Sequence, residues 1–397
     1  MYINRDFFKT IKTDTQLEAA MVWGPRQVGK TTLLDRLDLN SRLFLDDLGA
    51  RQSAQTDPAF VISTLKLPCL IDEAQYAPNL FPEIKRLIDQ QRRDQLKQGS
   101  KPTTQFYLTG SNRTQLDKTV KESLAGRCHL YTLHGLSIKE LQQAFGHLTI
   151  GDYFLKGGFP ELYTRENLSP RQYLNDYITS FVEKDIAVSA GIEKIESFHK
   201  AIRLLATRTG QFLNVSELSK LVGVDQKTLD SWLTLLQKNS VIELLPTFAT
   251  NLSKRIVKMK KLFFYDVGLC SRLQGFVEPD SIIHSPQAGS LFETLVFSEL
   301  AKTRDNFLKD WQLHTWRTKE KNEIDFILET PTQTSLIEAK MGINNISDFQ
   351  VDPEAKKVFR QDFKKIIVSA GGDIQKISNE TTKVPIKKLA DYLLEES

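Results

Sequence analysis

The chain has 397 residues, of which 40% are hydrophobic and 26% charged, and its formal net charge is +4. This balance is that of a folded globular protein, and the length allows two or three domains. Its apolar runs stay well short of the roughly 20 residues that cross a bilayer, and the first residues lack the apolar core of a signal peptide. Cys69, Cys128 and Cys270 are widely spaced, which suggests neither a disulfide framework nor a zinc site. We therefore expect a cytoplasmic protein without a membrane partner.

The most specific motif lies at residues 24–31, where G-P-R-Q-V-G-K-T follows the pattern of a phosphate-binding loop. Gly24 and Gly29 permit backbone conformations that a side chain would block, so that loop N–H groups and a helix N-terminus face a phosphate. Lys30 can reach the β- and γ-phosphates, and the Thr31 hydroxyl can ligate Mg²⁺. We expect ATP and Mg²⁺ as cofactors, with the nucleotide bound by Gly24, Pro25, Arg26, Gln27, Val28, Gly29, Lys30, Thr31 and Thr32.

The residues on either side of this loop favour the same conclusion. Residues 19–23 are apolar and predict a buried strand, and residues 32–37 predict the helix that opens behind the loop. A chance glycine-rich turn would lack both of these neighbours.

A second motif, at residues 67–75, is a short apolar run that leads into Asp72 and Glu73. The run predicts a buried parallel strand, and ligands bind at the carboxyl ends of such strands. We expect Asp72 to hold Mg²⁺, directly or through water, and Glu73 to activate the attacking water. The alternative, an ordinary solvated strand end, fits less well beside an intact phosphate loop.

Two further polar positions follow predicted strands. Ser111 and Asn112 end a third strand, and either could reach the γ-phosphate or the water, although a plain turn is the alternative. Arg127 directly precedes the apolar run from Cys128 to Leu133. Its guanidinium could meet transition-state charge in its own active site or in a neighbour's. A surface ion pair is the other interpretation.

These motifs together resemble a known family. G-P-R-Q-V-G-K-T-T, I-D-E-A-Q, L-T-G-S-N and E-S-L-A-G-R are similar to the AAA-type ATPases of prokaryotes that carry a C-terminal domain of uncharacterised function. By position, the resemblance implies roles in phosphate binding, metal binding, catalysis and γ-phosphate sensing for Lys30, Thr31, Asp72, Glu73, and Ser111 or Asn112. It assigns Arg127 to an arginine finger. Because such fingers usually act across an interface, it also implies a homo-oligomer, as a ring or another assembly.

The turn Gly158-Phe159-Pro160 extends the resemblance. In related signal-transducing ATPases, a G-x-P turn packs on the adenine. Proline fixes the local backbone and offers a flat apolar face, so Pro160 is a candidate for nucleotide binding. A purely structural turn is the alternative.

Residues 213–248 follow the pattern of a winged helix, in which Ser216 and Asp225 are expected to cap two successive helices. The second helix could enter a DNA groove with its outer face, which comprises Gln226, Lys227, Asp230, Ser231, Thr234 and Lys238. A lid or an oligomer contact is the alternative. A stronger candidate for phosphate contacts is the basic run Lys254, Arg255, Lys258, Lys260 and Lys261, for which a solvated hairpin face is the alternative. DNA is therefore the favoured partner.

After a helix at residues 289–300, three strand-like segments complete the chain's recognisable pattern. A symmetric turn at residues 331–332 places Asp325 opposite Glu338 and Glu323 opposite Lys340. Strand alternation then puts these four charged residues on one face. It directs the apolar neighbours toward a core on the other face, namely Ile324, Phe326, Ile337 and Ala339.

This order of elements resembles the restriction-endonuclease-like fold, whose nucleases use an Asp followed by Glu-x-Lys to hold a metal and activate water. The resemblance implies that Asp325 and Glu338 bind Mg²⁺. It implies a nuclease site formed by Glu293, Asp325, Glu338 and Lys340. An internal ion-pair network is the alternative interpretation of the same charges.

The expected fold class is α/β, with a parallel P-loop NTPase sheet (residues 1–150), a helical and winged-helix domain (151–280) and an α/β restriction-endonuclease-like domain (281–397). We expect Mg²⁺-dependent ATP hydrolysis coupled to nucleic-acid binding, remodelling or processing in an oligomer. The alternative is a nucleotide-controlled signalling switch whose C-terminal domain binds a protein partner. Stimulation of hydrolysis by nucleic acid separates these two functions.

Overall fold

The computed structural model describes residues 1–13, 17–98, 104–111, 122–189, 191–249, 259–318, 322–342, 348–359 and 363–396. The chain divides into two compact units. The N-terminal unit comprises Asn4–Gly135 and Asp305–Phe307, and the C-terminal unit comprises Met1–Ile3, Leu136–Arg304 and Leu308–Ser397. No helix in the described part of the chain is long and apolar enough to span a bilayer.

A five-stranded parallel sheet forms the centre of the N-terminal unit. Its strands are β1 (Ala19–Trp23), β2 (Ser41–Phe44), β3 (Cys69–Asp72), β4 (Phe106–Gly110) and β5 (Cys128–Thr132), in the order β2-β3-β4-β1-β5. Its helices are α1 (Phe7–Thr13), α2 (Lys30–Leu34), α3 (Leu48–Thr56), α4 (Pro58–Thr64) and α5 (Leu80–Gln98), with a 3-10 turn at Ala74–Tyr76. This arrangement is the P-loop NTPase fold, which confirms the expected fold class.

Strand β1 is buried on both faces, as its apolar sequence predicted. Met21 points into a cluster with Phe81 of α5, whereas Val22 points into a second cluster with Leu33 of α2. Alternate side chains of a strand face opposite sides, so both clusters hold the strand in place. Burying each large apolar side chain stabilises the folded state by roughly 1.5–3 kcal/mol. The loop that follows β1 is therefore anchored at its first residue.

The sequence-based boundaries around this sheet needed two corrections. The helix behind the phosphate loop begins at Lys30, because Gly29 takes a left-handed conformation that ends the loop and caps the helix. The polar composition of residues 90–101 predicts a surface loop that extends a helix, but residues 90–98 belong to helix α5 itself.

The first part of the C-terminal unit is helical and ends in a small sheet. Its helices are α6 (Ile138–Phe145), α7 (Ile150–Lys156), α8 (Glu161–Thr164), α9 (Pro170–Tyr177), a π-helical segment (Ile178–Asp185), α10 (Ile186–Ser189), α11 (Ile195–Thr207), α12 (Val215–Val222), α13 (Gln226–Lys238), α14 (Val267–Leu273) and α15 (Pro279–Ile283). Strands β6 (Gln211–Phe212), β7 (Ile242–Pro246) and β8 (Lys260–Phe264) are antiparallel in the order β6-β8-β7.

The sequence predicts the N-cap of α13 correctly and that of α12 incorrectly. Asp225 caps α13 by accepting the backbone N–H of Thr228 at 2.9 Å, as expected. The cap of α12 is Asn214, whose side chain accepts the N–H of Glu217 at 3.1 Å, so the assignment to Ser216 was wrong. Asparagine caps at least as well as serine, and the helix can start two residues earlier there.

The rest of the C-terminal unit is a mixed six-stranded sheet with helices. Its elements are α16 (Ala288–Asn306), β9 (Gln312–Arg317), β10 (Glu323–Glu329), β11 (Thr334–Lys340), α17 (Pro353–Phe359), β12 (Phe363–Ser369), β13 (Gln375–Lys376), β14 (Thr381–Pro385), a 3-10 turn (Ile386–Lys388) and α18 (Leu389–Glu396). The strand order is β13-β14-β12-β11-β10-β9. Strands β11, β12 and β14 run parallel, and β9–β11 form an antiparallel meander.

The predicted register of the β10–β11 hairpin is confirmed by the pairs Phe326–Ile337 and Glu329–Thr334. The predicted face of Ile324 is wrong. Ile324 packs in a cluster with Trp316, whereas Phe326 joins the larger core cluster of the unit. The register against β9 shifts between Ile324 and Ile327, and such a bulge breaks the simple alternation of faces.

One apolar cluster runs from the helical part of the C-terminal unit into its six-stranded sheet. Phe263 of β8 stacks on Phe297 of α16 at 5.0 Å and contacts Phe326 of β10 at 5.2 Å between ring centroids. This shared core explains why residues 136–304 and 308–397 form one compact unit. A compact unit can contain more than one domain, so the boundaries near residues 150 and 280 stay a prediction.

The three cysteine thiols lie in these cores, and their reactivity should show it. Burial raises the pKa of Cys69, Cys128 and Cys270 to about 12 in each case. Since the thiolate is the reactive form, we expect the folded protein to react very slowly with a disulfide reagent at mildly alkaline pH, and the denatured chain to expose all three thiols. Rapid labelling of folded protein would contradict this burial.

Candidate ATPase site

The phosphate loop joins β1 to α2 through backbone conformations that suit glycine. Gly24 has φ 155°, and a Cβ at this position would collide with the carbonyl oxygen of Leu133. Gly29 has φ 90° and caps α2. Gln27, at φ 62°, adopts a left-handed conformation as well. The loop therefore lies close against the end of β5, and a larger residue at Gly24 would displace one of the two segments.

Lys30 begins α2 and turns its side chain back over the loop. Its ammonium donates to the carbonyl oxygens of Gly24 at 3.0 Å and Pro25 at 2.8 Å. Burial lowers the pKa of Lys30 to about 8, against the opposing charges of Glu73 and Asp72. Lys30 thus carries its positive charge at neutral pH, in the place where the loop motif expects phosphate.

Asp72 ends β3 at the carboxyl edge of the sheet. Its Oδ1 accepts the hydroxyl of Thr31 at 2.7 Å and the hydroxyl of Thr109 at 2.7 Å. Burial raises the pKa of Asp72, and the two hydrogen bonds only partly oppose that shift. A carboxylate beside a hydroxyl is a set of oxygen donors that fits Mg²⁺, so Asp72 and Thr31 would hold this ion and let it neutralise phosphate charge.

Glu73 follows Asp72 in a left-handed backbone conformation with φ 53°, which is unusual for a residue other than glycine. Its N–H donates to Thr109 at 2.9 Å, while its carboxylate accepts the hydroxyl of Ser111 at 2.5 Å and the side-chain amide of Gln75. Burial would raise the pKa of Glu73, but the charge of Lys30 and these hydrogen bonds lower it overall. The carboxylate is therefore ionised at neutral pH, as a general base must be.

Arg127 lies at the opposite edge of the sheet from these groups. It precedes β5, and its carbonyl oxygen accepts the N–H of Ala19 at the start of β1. The phosphate loop follows the other end of β1, and a five-residue strand spans roughly 13–16 Å. The guanidinium donates to Asp89 at 2.6 Å and to the carbonyl of Ala125 at 2.9 Å. Arg127 is thus held away from the phosphate loop of its own subunit.

Three residues that help to build this site were not assigned a role from sequence. Thr109 joins Asp72 to the backbone of Glu73, and Gln75 holds the Glu73 carboxylate. Arg5 is buried and donates to the carbonyls of Val28 at 2.8 Å and His134 at 2.7 Å, which ties the phosphate loop to the end of β5. Thr109 and Gln75 stand within the motifs already singled out, but nothing in the sequence around Arg5 indicates its contact.

Three sequence-based candidates remain, namely Arg26, Asn112 and Pro160. Arg26 donates to the hydroxyl of Tyr76 at 3.3 Å. Asn112 lies outside the described residues. Pro160 belongs to the C-terminal unit, where it directly precedes α8 and follows the buried Phe159. Its predicted contact with adenine stays a prediction.

A second charged cluster, here called the β10 cluster, comprises Lys261, Glu293, Glu323, Asp325, Glu338 and Lys340. The Lys261 ammonium forms an ion pair with Glu293 and lies 3.5 Å from Asp325 and 3.9 Å from Glu323. Burial alone would lower the pKa of Lys261, but the charges of Glu293 and Asp325 raise it overall. Burial, with the charge of Asp325, raises the pKa of Glu293 to about 8.

The other two members of the β10 cluster pair with each other. Lys340 donates to Glu338 at 2.9 Å, and Asp325 accepts the backbone N–H of Ala339 at 2.9 Å. Burial and the charge of Asp325 raise the pKa of Glu338. Within the described ranges, no three His, Cys, Asp or Glu side chains are placed to share a metal ion.

The basic run predicted to contact phosphates divides into three parts. Lys254, Arg255 and Lys258 lie outside the described residues, and Lys260 is exposed. Lys261 is only 1% exposed and pairs with the acids of the β10 cluster, so its predicted contact with phosphates is wrong, and so is the alternative of a solvated face. Alternation along β8 explains the difference, because adjacent side chains of a strand point to opposite faces.

Comparison with protein families divides the chain into three segments. Residues 16–142 match a family described as an AAA domain, and this segment includes the phosphate loop, Asp72, Glu73 and Arg127. Residues 148–280 match a domain of unknown function (DUF8612), and residues 288–389 match another (DUF4143). Residues 16–142 therefore form a P-loop ATPase domain of the AAA type.

Among curated proteins, the uncharacterized protein Rv2008c of Mycobacterium tuberculosis is 30% identical over 314 residues, which cover 78% of this chain and 67% of that protein. The chain belongs to the family of this protein. A second curated protein, an uncharacterized protein of Haemophilus influenzae, is 27% identical over 147 residues, which cover 34% of this chain and 37% of that protein.

Solved structures resemble the chain only distantly. The ORC2 protein of Aeropyrum pernix, in its ADPNP–ADP complexes, is 14% identical with a TM-score of 0.33, covering 75% of this chain and 91% of that one. At that level of similarity, function has to be argued from the residues of this chain.

Proposed function

We propose that this protein hydrolyses ATP with Mg²⁺ and couples hydrolysis to nucleic-acid binding or remodelling in a homo-oligomer. The observation that carries the proposal is the hydrogen-bonded set at the carboxyl edge of the sheet. There Thr31 and Thr109 both donate to Asp72, and Ser111 donates to Glu73. These groups are already oriented toward the phosphate loop, as catalysis by positioning requires.

Each residue of this set would act in one step of hydrolysis. The loop N–H groups and Lys30 would bind the phosphates, and Thr31 with Asp72 would hold Mg²⁺. Glu73 would take a proton from the attacking water while Ser111 and Gln75 keep its carboxylate in place. Ser111, which donates to the base, would sense the γ-phosphate.

The nucleic-acid part of the proposal depends on residues 195–264, whose order is helix, strand, two helices and two strands. This order, with the sheet β6-β8-β7, supports a winged helix. The outer face of α13 is solvent-exposed along its length, including Lys227 and Lys238. This face would lie against DNA and contact phosphates with both lysines. The six-stranded sheet after it supports a restriction-endonuclease-like module at residues 281–397.

We expect the double variant Lys227→Ser, Lys238→Ser to bind DNA more weakly at every sequence, because phosphate contacts position a protein without reading bases. Each lost contact should reduce the slope of log affinity against log salt by about 1. A matched control, Lys376→Ser with Lys387→Ser, removes two exposed lysines, one on the edge strand β13 and one in the 3-10 turn after β14. Equal salt slopes in both variants would move the DNA contact away from α13.

A nucleotide-controlled switch that binds a protein partner is the competing function. The two differ in one measurement, the steady-state ATPase rate with and without single-stranded, duplex and branched DNA. Our proposal requires that at least one DNA form raises the rate, and that Glu73→Gln removes the stimulated rate too. A steady-state ATPase rate that stays the same with every DNA form would favour the switch.

A further inference from the structure

The carboxylates on β10 and β11 do not form the metal site that a restriction-endonuclease-like module would use. Asp325 and Glu338 stand in the expected hairpin register, yet no third metal-binding side chain joins them among the described residues. Instead, Lys261 of β8 inserts its ammonium between Glu293 and Asp325. A cation of the chain itself thus lies between two of the three carboxylates that the sequence assigned to a nuclease site.

We infer that Lys261 permanently replaces the divalent cation in the β10 cluster, so that this module binds nucleic acid without cutting it. The inference rests on the proposed restriction-endonuclease-like module and decides what that module does. A nuclease of this kind needs a metal-held water, and an ammonium group cannot generate one. The cluster would then stabilise the fold through ion pairs that join β8, α16 and β10.

The charge balance of the cluster needs no metal. Its four acids face its own two lysines and the neighbouring Arg317: Glu293 and Asp325 share Lys261, Glu338 pairs with Lys340 at 2.9 Å, and Glu323 pairs with Arg317 at 3.1 Å. The backbone N–H of Ala339 donates to the remaining oxygen of Asp325. A divalent ion added to this set would bring a net positive charge next to Lys261, which Coulomb repulsion opposes.

The space around Lys261 is closed as well. Its side chain is 2% exposed, and the ring of Phe212 lies 6.0 Å from its ammonium. The backbone of Gly210 packs so closely that a Cβ there would lie 3.1 Å from Glu293. A hydrated metal ion needs room for its ligand waters, but the side chain of Lys261 already occupies the space that these contacts enclose.

The shape of β10 explains how Asp325 reaches this lysine. The register against β9 shifts between Ile324 and Ile327, and a bulge turns the side chain at its centre out of the regular alternation. Asp325 sits within that bulge and meets β8 and α16.

The first test uses the intact protein, free of nucleotide, with Asp72→Asn to remove the metal site at the phosphate loop. We expect Mn²⁺ at millimolar concentration to leave the thermal unfolding midpoint unchanged, because nothing in the folded state binds it better than the unfolded chain. We also expect no cleavage of DNA or RNA. A Mn²⁺-dependent rise in the midpoint that disappears on adding Asp325→Asn would overturn the inference.

The second test removes the lysine. Lys261→Ala should bind Mn²⁺ roughly tenfold or more tighter than wild type, because it vacates space and removes a positive charge that lies 3.5 Å from Asp325 and 3.9 Å from Glu323. Adding Asp325→Asn should abolish the gain, and Lys260→Ala, the exposed neighbour on β8, should show none. A folded Lys261→Ala protein that binds no more Mn²⁺ than wild type would overturn the inference; if it does not fold, the first test decides.

These readouts separate the inference from the proposed function. Loss of DNA-stimulated ATPase activity would refute the proposed coupling without altering Mn²⁺ binding at the β10 cluster. Metal binding by wild type would refute the inference and leave the ATPase site untouched.

Discussion

Glu73→Gln is expected to lower ATP turnover about 10²–10⁴-fold while leaving ATP bound. The amide keeps the size of the side chain and can still hydrogen-bond to Ser111, but it cannot accept a proton from water. The pKa of Glu73 is already below its ordinary value, because Lys30, Ser111 and Gln75 outweigh the effect of burial. The substitution thus removes an ionised base and little else. Single-turnover hydrolysis and equilibrium binding of ATP would measure the two effects separately.

Two comparison variants define the outcome. Glu83→Gln changes a partly exposed glutamate on α5 that pairs with Arg86 at 2.7 Å, and it should leave turnover unchanged. Lys30→Ala removes the charge that meets the phosphates, so it should lose tight nucleotide binding instead of turnover alone. If Glu73→Gln hydrolyses ATP at the wild-type rate, Glu73 is not the base.

Local patterns were enough to predict the ATPase site and much of its sheet. The strands at Ala19–Trp23 and Cys69–Asp72 are short apolar runs, and parallel strands buried on both faces have that composition. The carboxyl ends of parallel strands meet at one edge, which brings Asp72 to the phosphate loop without further information. The predicted positions of these groups therefore follow from the common direction of the strands.

What the sequence could not predict depends on contacts between distant segments. Arg5 lies more than twenty residues before its partner Val28, and a lone N-terminal arginine looks like any exposed cation. Lys261 has the same ambiguity, because a lysine in a basic run is usually solvated. Only the tertiary fold shows that acids on α16 and β10 surround it.

The β10–β11 hairpin shows that strand alternation can predict the pairing of two strands and still assign side chains to the wrong face. The register was predictable because a short turn leaves few ways to pair two strands of this length. The faces were not, since one bulge against β9 places Ile324 and Phe326 in different clusters. Bulges have no reliable signature in a single sequence, and here the bulge sets the direction of Asp325.

Arg127→Ala is expected to lower ATP turnover by about 10³–10⁵-fold, the range for an arginine that meets transition-state charge. Arg127 lies at the amino edge of the sheet, whereas the phosphate loop lies at the carboxyl edge, one strand length away. It cannot cross that distance within its own subunit. A catalytic contribution from Arg127 therefore has to reach the active site of a neighbouring subunit.

The salt bridge to Asp89 supplies the matched control. Asp89 accepts from Arg127 at 2.6 Å, and this hydrogen bond is the main reason that the pKa of Asp89 is lowered. If Arg127 only stabilises the fold through this pair, Asp89→Asn should reduce turnover as much as Arg127→Ala does. If Arg127 is a finger, Asp89→Asn should leave turnover near the wild-type rate, since the guanidinium stays available.

A mixing experiment then tests whether the finger acts between subunits. Arg127→Ala subunits keep an intact phosphate loop, and Lys30→Ala subunits keep an intact arginine. Mixed oligomers contain interfaces at which the first kind receives its arginine from the second, so activity should return on mixing although each protein alone is inactive. A strictly monomeric protein with full ATPase activity would exclude this role, and Arg127 would then be a structural partner of Asp89.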